Sequence, residues 1–128
     1  MSSYVLDASA LMALFHHEPG SDKVAQAIED GAAISTVNLA EVASKLSDLG
    51  TPEGRIRDAI NVLGLTIVGF DTAFAYSVGL LRPLTRHAGL SLGDQACLAL
   101  AQHLNLPALT ADRAWEDLSL GIVVEVIR

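Results

Sequence analysis

Four carboxylates stand out for where they occur: Asp7, Glu41, Asp94 and Asp112. Each opens or enters a segment that is otherwise small or apolar. Asp94 is the sharpest case, in the first turn of "LSLGDQACLALAQHL" (90–104), with no Lys or Arg between Arg86 and Arg113. Taken singly, each has a structural reading. Asp7 and Asp112 fit as N-caps of the helices they precede, and Asn38 to Glu41 and Ser91 to Asp94 have the spacing of a capping box. A chemical reading is compatible with this one, because helix N-termini favour acids. Where several such termini point at one sheet edge, their carboxylates converge. Converging carboxylates repel, and in a cleft of low dielectric they take up protons or move apart. Lys23 and Lys45 are the only lysines in the chain, which leaves a hard dication as the stabiliser. Oxygen-only ligands suit Mg²⁺ or Mn²⁺. The chemistry open to such a centre, with one metal or two, is phosphodiester hydrolysis: a bound water is acidified and charge on the leaving oxygen is stabilised.

The elements that must position these acids are short and alternate in type. "SYVLD" is β-prone and ends at Asp7; "ASALMALFHH" then takes up helical spacing, and "EPGS" makes a turn into an amphipathic "DKVAQAIED" helix. "AAIST" reads as a buried strand and "NLAEVASKLSDLG" as a helix that Gly50 stops. "TPEGRIRDAINVLG" opens with a cap-like Thr51 and a proline at its first helical position. "LTIVGF" is a third strand, and "DTAFAYSVGLLRPLTRHAG" a long helix that Pro83 kinks or divides. After residues 90–104 come "PALTA", a short helix around "RAWEDL" and a last strand, "GIVVEVI". Strands alternating with helices pair in parallel through crossovers, so the expected fold is α/β: a mostly parallel sheet of four to five strands between two helical layers. Ligands in such sheets bind beyond the carboxyl ends of the strands, where strand order reverses. Asp7 and Asp112 follow the first and fourth strands, which is that location.

At 128 residues the chain is expected to form one domain, residues 1–128. Apolar residues make up 51 % of it, yet no run approaches the ~18–20 needed to span a membrane. The start, "MSSYVLDASALM", lacks a basic region and is interrupted by Asp7, so a cytoplasmic location is expected. Cys97 excludes an internal disulfide and reads as a small core residue. Eight Lys+Arg against fifteen Asp+Glu give a net charge of −7, and the pI is about 4.8. That balance argues against broad electrostatic binding of nucleic acid, while a bound dication can invert the field at one site. The apolar excess points to surface hidden in a homodimer or beneath a protein partner.

"VLDASALMALF", "VNLAEVASKL", "SLGDQACLALA" and "LTADRAW" resemble, in that order, the successive motifs of PIN-domain ribonucleases, and in particular the VapC toxins of bacterial and archaeal toxin–antitoxin pairs. The likeness runs from residue 4 to about 118; residues 50–85 carry no motif. It implies a PIN-like fold and a metal-dependent endoribonuclease with Asp7, Glu41, Asp94 and Asp112 as its acidic cluster. Asp7 and Asp94 would be the principal Mg²⁺ or Mn²⁺ ligands, Glu41 would bind directly or through water, and Asp112 would hold a water or second metal. Ser9 and Thr110 match positions whose hydroxyls support such a cluster. The resemblance also implies a homodimer and inhibition by a small antitoxin laying a helix and an extended tail across the toxin. Asp117 is an extra carboxylate beside the last motif.

Arg82, Arg86 and Arg113 are candidates for contacting RNA phosphates, with solvated or ion-paired roles as the alternative. Trp115 could stack a base, although packing under the last helix fits it better. His16 and His17 suit the end of the first helix, and the pair lacks the i, i+4 spacing of a zinc helix. His103, late in an apolar helix, reads as structural. A receiver-type phosphoacceptor domain shares the size, acidity and alternation, but needs a lysine late in the chain; none follows Lys45. Two alternatives share the fold. One is a catalytically silent PIN module kept for protein binding, and the other a PIN nuclease acting on another nucleic acid.

Overall fold

Successive residues along the strands bury in opposite directions. Val5, Ala33 and Ala108 join one apolar cluster, whereas their neighbours Leu6, Ile34 and Leu109 join another. The period of two is the pleat itself, and the lack of any polar alternation means that both faces are covered. The computed structural model describes residues 2–128. Its strands are β1 (Tyr4–Leu6), β2 (Ala32–Ser35), β3 (Thr66–Val68), β4 (Ala108–Thr110) and β5 (Val124–Val126). They form one sheet in the order β3-β2-β1-β4-β5, with every neighbouring pair parallel. The central strands β1, β2 and β4 are the buried ones, and β3 at the edge is largely exposed.

Helices α1 (Ala8–Phe15), α2 (Ser21–Asp30), α3 (Thr36–Asp48) and α4 (Glu53–Asn61) supply the cluster around Leu6 and Ile34. The opposite cluster is built by α5 (Thr72–Leu80), α7 (Leu92–Leu104) and a 3₁₀ turn at Arg113–Asp117. The long helix anticipated over residues 71–89 is divided: α5 ends at Leu80, a single turn α6 (Arg82–Thr85) contains Pro83, and a 3₁₀ turn (Arg86–Ala88) follows. A proline ring cannot accept the preceding turn without losing a backbone hydrogen bond. Gly50 does follow the end of α3, in the left-handed conformation at φ +90°.

The apolar run of residues 90–104 owes its composition to its place. From Gln95 to Ala101 every residue of α7 is buried, because the helix lies on β1, β2 and β4 and is covered by α3 and α5. Cys97 is fully buried there as a core residue, and Trp115 is too deeply buried to meet a base. No helix among the described residues is long and apolar enough to cross a membrane.

The chain runs outward from β1 to β2 and β3, then returns to add β4 and β5 on the other side. Strand order therefore reverses between β1 and β4, and the carboxyl ends of these strands are where sheets of this kind place their ligand crevice. Removing methyl groups from α7, which packs on these strands, should be costly. Leu98→Ala, at a fully buried position, is expected to lower unfolding free energy by about 2–5 kcal/mol. Leu104→Ala, at the exposed end of α7, should cost much less; urea denaturation compares the two.

Candidate active site

Asp7 is the first residue after β1 and lies at the reversal point. The register that sets Leu6 beside Leu109 carries Asp7 alongside Thr110, and the Asp7 amide bonds the Leu109 carbonyl at 3.2 Å. Its side chain is only 3 % exposed. Three donors surround it: the Ser9 hydroxyl at 2.8 and 2.9 Å from its two oxygens, the Thr110 hydroxyl at 2.6 Å and the Ala10 amide at 2.8 Å. Asp7 is thus the N-cap of α1, as its spacing suggested. Burial nevertheless dominates and pushes its pKa up from 3.8 to about 6, against the pull of Thr110, Ala10 and Ser9 and with a further push from the charge of Asp94.

Asp94 caps α7 reciprocally with Ser91, whose hydroxyl accepts from the Asp94 amide at 3.1 Å while the Asp94 carboxylate accepts from the Ser91 amide at 3.0 Å. The expected capping box is present. Asn38 and Glu41 do not form the other one. Ser35, at the end of β2, is the N-cap of α3 and accepts from the Val37 amide. That places Asn38 inside the helix, 1 % exposed. Its amide donates to Glu41 Oε1 at 2.9 Å and to the Gly93 carbonyl at 3.0 Å, and its Oδ1 has no partner. An i, i+3 pair faces the same way within a helix, so the spacing was informative and the role was misread.

Asp112 caps the 3₁₀ turn through the Ala114 amide at 2.9 Å. It is exposed, and Thr110 joins it to Asp7: the Thr110 oxygen accepts from the Asp112 amide at 3.1 Å while its hydroxyl donates to Asp7. Ser9 completes this bridge by accepting from the Ala111 amide at 2.9 Å. Both hydroxyls expected to support the cluster touch Asp7, and Asp117 is exposed at the far end of the turn. The negative charges of Asp7, Asp94 and Glu41 all reach Cys97 and, after burial, help to raise its thiol pKa well above its usual value. The end of β1, α3 and α7 thus each bring one acid within charge range of the buried Cys97 thiol.

The carboxylates are neighbours without being gathered. Among the described residues no three Asp, Glu, His or Cys side chains stand close enough together to hold a metal ion. Each acid has its own local donor: Ser91 for Asp94, Asn38 for Glu41 and Ala114 for Asp112. The donor set fits a hard dication: it is all oxygen, it includes a carboxylate isolated from water, and Asn38, which holds Glu41, keeps an unpartnered amide oxygen. Of the three arginines, Arg82 is bound to the Leu90 carbonyl and Arg113 to the Arg128 carbonyl, at 3.3 and 3.0 Å. All three are exposed.

The PIN-domain family profile matches residues 4–120. The chain belongs to the PIN-domain family. Among solved structures it is similar to a chain of a toxin–antitoxin complex from Klebsiella pneumoniae, with 25% identity, TM-score 0.74 and 98% of both chains covered. It is also similar to DNA-bound VapBC from Salmonella typhimurium, with 20% identity, TM-score 0.76 and full coverage of both chains. VapBC2 from Rickettsia felis, bound to a DNA fragment from its promoter, gives 19% identity and TM-score 0.71 over 95% of this chain and 96% of that one. No curated protein matches the sequence. Within that family's fold, Asp7 of this chain stands where the sheet order reverses.

Burying Asp7 has a consequence for stability in metal-free solution. Its folded pKa of about 6 exceeds the starting value of 3.8, so the folded chain keeps a proton that the unfolded chain has already released. Stability therefore falls as pH rises through that window, and the full penalty persists above it. In chelator, Asp7→Asn is expected to be the more stable protein at pH 7.5, by on the order of 3 kcal/mol, and to lose that advantage toward pH 4. Urea titrations at both pH values measure this; an advantage that does not change with pH would refute a buried charge.

Proposed function

We propose that this PIN-domain protein is a Mg²⁺- or Mn²⁺-dependent endoribonuclease and the toxin of a VapBC-type toxin–antitoxin pair. The observation that carries the reading is the buried Asp7 at the β1/β4 reversal point, within range of the Asp94 charge. Asp7 and Asp94 are assigned as the main ligands, Glu41 as a ligand directly or through water, and Asp112 as the holder of a water or a second metal. When bound, the cation supplies Lewis-acid charge to a phosphodiester and makes a water more acidic. The chain's own residues do the rest. Ser9 and Thr110 fix the two oxygens of Asp7 by hydrogen bonds, so its lone pairs keep one direction as substrate arrives. Burial excludes water from that carboxylate, which strengthens every charge interaction it makes. Arg86, together with Arg82 and Arg113, is assigned to RNA phosphates at the rim.

Similarity to a chain of the K. pneumoniae toxin–antitoxin complex supports a small antitoxin as protein partner. A homodimer is assigned as well: Tyr76, Leu80 and Leu84 are exposed at four-residue spacing along α5 and α6, an apolar row suited to a second copy. The cytoplasm is the assigned location. One observation favours a different reading. The local donors that hold Asp94, Glu41 and Asp112 apart are what a silent, protein-binding PIN module would also need.

Cleavage assays separate the two. Asp94→Asn removes a ligand charge without changing size and should lower RNA cleavage by more than the roughly 10–100-fold typical of outer-shell changes, with folding retained. Ser9→Ala and Thr110→Ala should fall within that milder range. Chelation with EDTA should abolish activity, and millimolar Mn²⁺ should raise the melting temperature of wild type but not of Asp94→Asn, because only the folded cluster binds it. Undiminished cleavage in EDTA would remove the metal mechanism; absence of cleavage on defined RNAs with Mn²⁺ would leave the binding module. Single-stranded DNA in the same assay tests the nucleic acid.

A further inference from the structure

We propose that Asn38 and Gly93 are positioning residues that together form a seat for the Glu41 carboxylate over the first turn of α7. The link to a metal rests on the nuclease reading above; the seat itself does not. Both residues are locally unfavourable choices. Asparagine competes with the backbone inside helices, and this one buries a carbonyl oxygen with no partner, which costs free energy on the scale of a lost hydrogen bond. An apolar side chain at position 38 would avoid that. Glycine is a poorer helix former than alanine, yet Gly93 is the second residue of α7.

The geometry explains both. A Cβ built on Gly93 would lie 2.6 Å from Glu41 Cδ and 2.7 Å from Oε2, closer than atoms can approach, and closer still to Oε1. The Glu41 carboxylate therefore occupies the space that any other residue at 93 would fill. Asn38 closes the opposite side, using its two amide hydrogens to hold Glu41 Oε1 and the Gly93 carbonyl at once. One side chain thus ties the carboxylate to α3 and α3 to α7. The seat sits at a helix N-terminus, where partial positive charge favours an acid, and directly precedes Asp94 in the chain. Without it a four-bond glutamate side chain is free to swing to solvent, since its own rotamers do not select this position.

The test is a melting cycle in chelator on wild type, Glu41→Ala, Gly93→Ala and the double variant. With Glu41 truncated, the alanine at 93 has room, and its better helix propensity should raise the melting temperature by roughly 3–5 °C. With Glu41 present the same change should give a smaller gain, because the carboxylate must give up its Asn38 hydrogen bond to make room. Equal gains in both backgrounds would overturn the seat. Mn²⁺ titration by calorimetry supplies the second readout. Gly93→Ala and Asn38→Ala should each weaken binding by about tenfold or more, and Gly93→Ala should add nothing once Glu41 is absent. Unchanged affinity in both single variants would overturn the positioning role. Wild type that neither binds Mn²⁺ nor cleaves RNA would overturn the nuclease reading, and the metal-free melting cycle would then decide the seat by itself.

Discussion

A single carboxylate kept from water governs the arrangement. Asp7 ends the central strand of a sheet covered on both faces, so its burial follows from topology. A buried charge is tolerated only with hydrogen bonds or a counter-charge. The chain provides hydrogen bonds from both of its ends: Ser9 and Ala10 lie just after Asp7, whereas Thr110 is 103 residues away. Those bonds draw the end of β4 and the start of α1 into one polar knot inside an apolar core. They do not cancel the cost, since the carboxyl still holds its proton up to about pH 6. That residual cost is the driving force for any cation the crevice accepts.

The same constraint shapes what the acidic surface can bind. A net charge of −7 repels a polyanion at long range, and Arg82 and Arg113 are already engaged with backbone carbonyls. Screening limits that repulsion to about 8–10 Å in physiological salt. On the proposed function, attraction would therefore be local, at the carboxylates themselves once a dication had reversed their sign. A partner protein that supplies positive charge to the crevice would compete for the same field. On the proposed function, inhibition and catalysis would draw on one electrostatic feature.

Fold class and order of elements were legible because they rest on local signals. Short apolar runs ended by capping acids marked β1 and β4, and the helical run at 90–104 was recognisable by composition and by Ser91 to Asp94. Asp7, Asp94 and Asp112 were legible as helix caps for the same reason: caps are written in sequence. Their relation in space was not. Asn38 and Glu41 looked like a helix start because i, i+3 spacing is shared by capping boxes and helix faces; only the position of Ser35 distinguishes them. Gly93 gave no signal at all, since what excludes a side chain there comes from α3, some fifty residues earlier. An asparagine followed three residues later by glutamate, within an apolar helix, is the cue that could have pointed to Glu41's seat.

The structural and chemical readings of the acids converge on one energetic comparison. A capping bond is worth about 1 kcal/mol, whereas a dication shared by carboxylates in low dielectric interacts with each far more strongly. Asp94 and Asp112 are bound to their helix ends by bonds of the weaker kind, so a cation can recruit them at small cost. Asp7 differs, for its donors leave it no rotamer to exchange. The crevice is accordingly one fixed charge with movable neighbours, and the fixed charge sets where the others must come. Holding Glu41 against α7 reduces how far one of those neighbours has to travel. Apart from the cost of burying Asp7, each acid has a structural occupation that needs no cation.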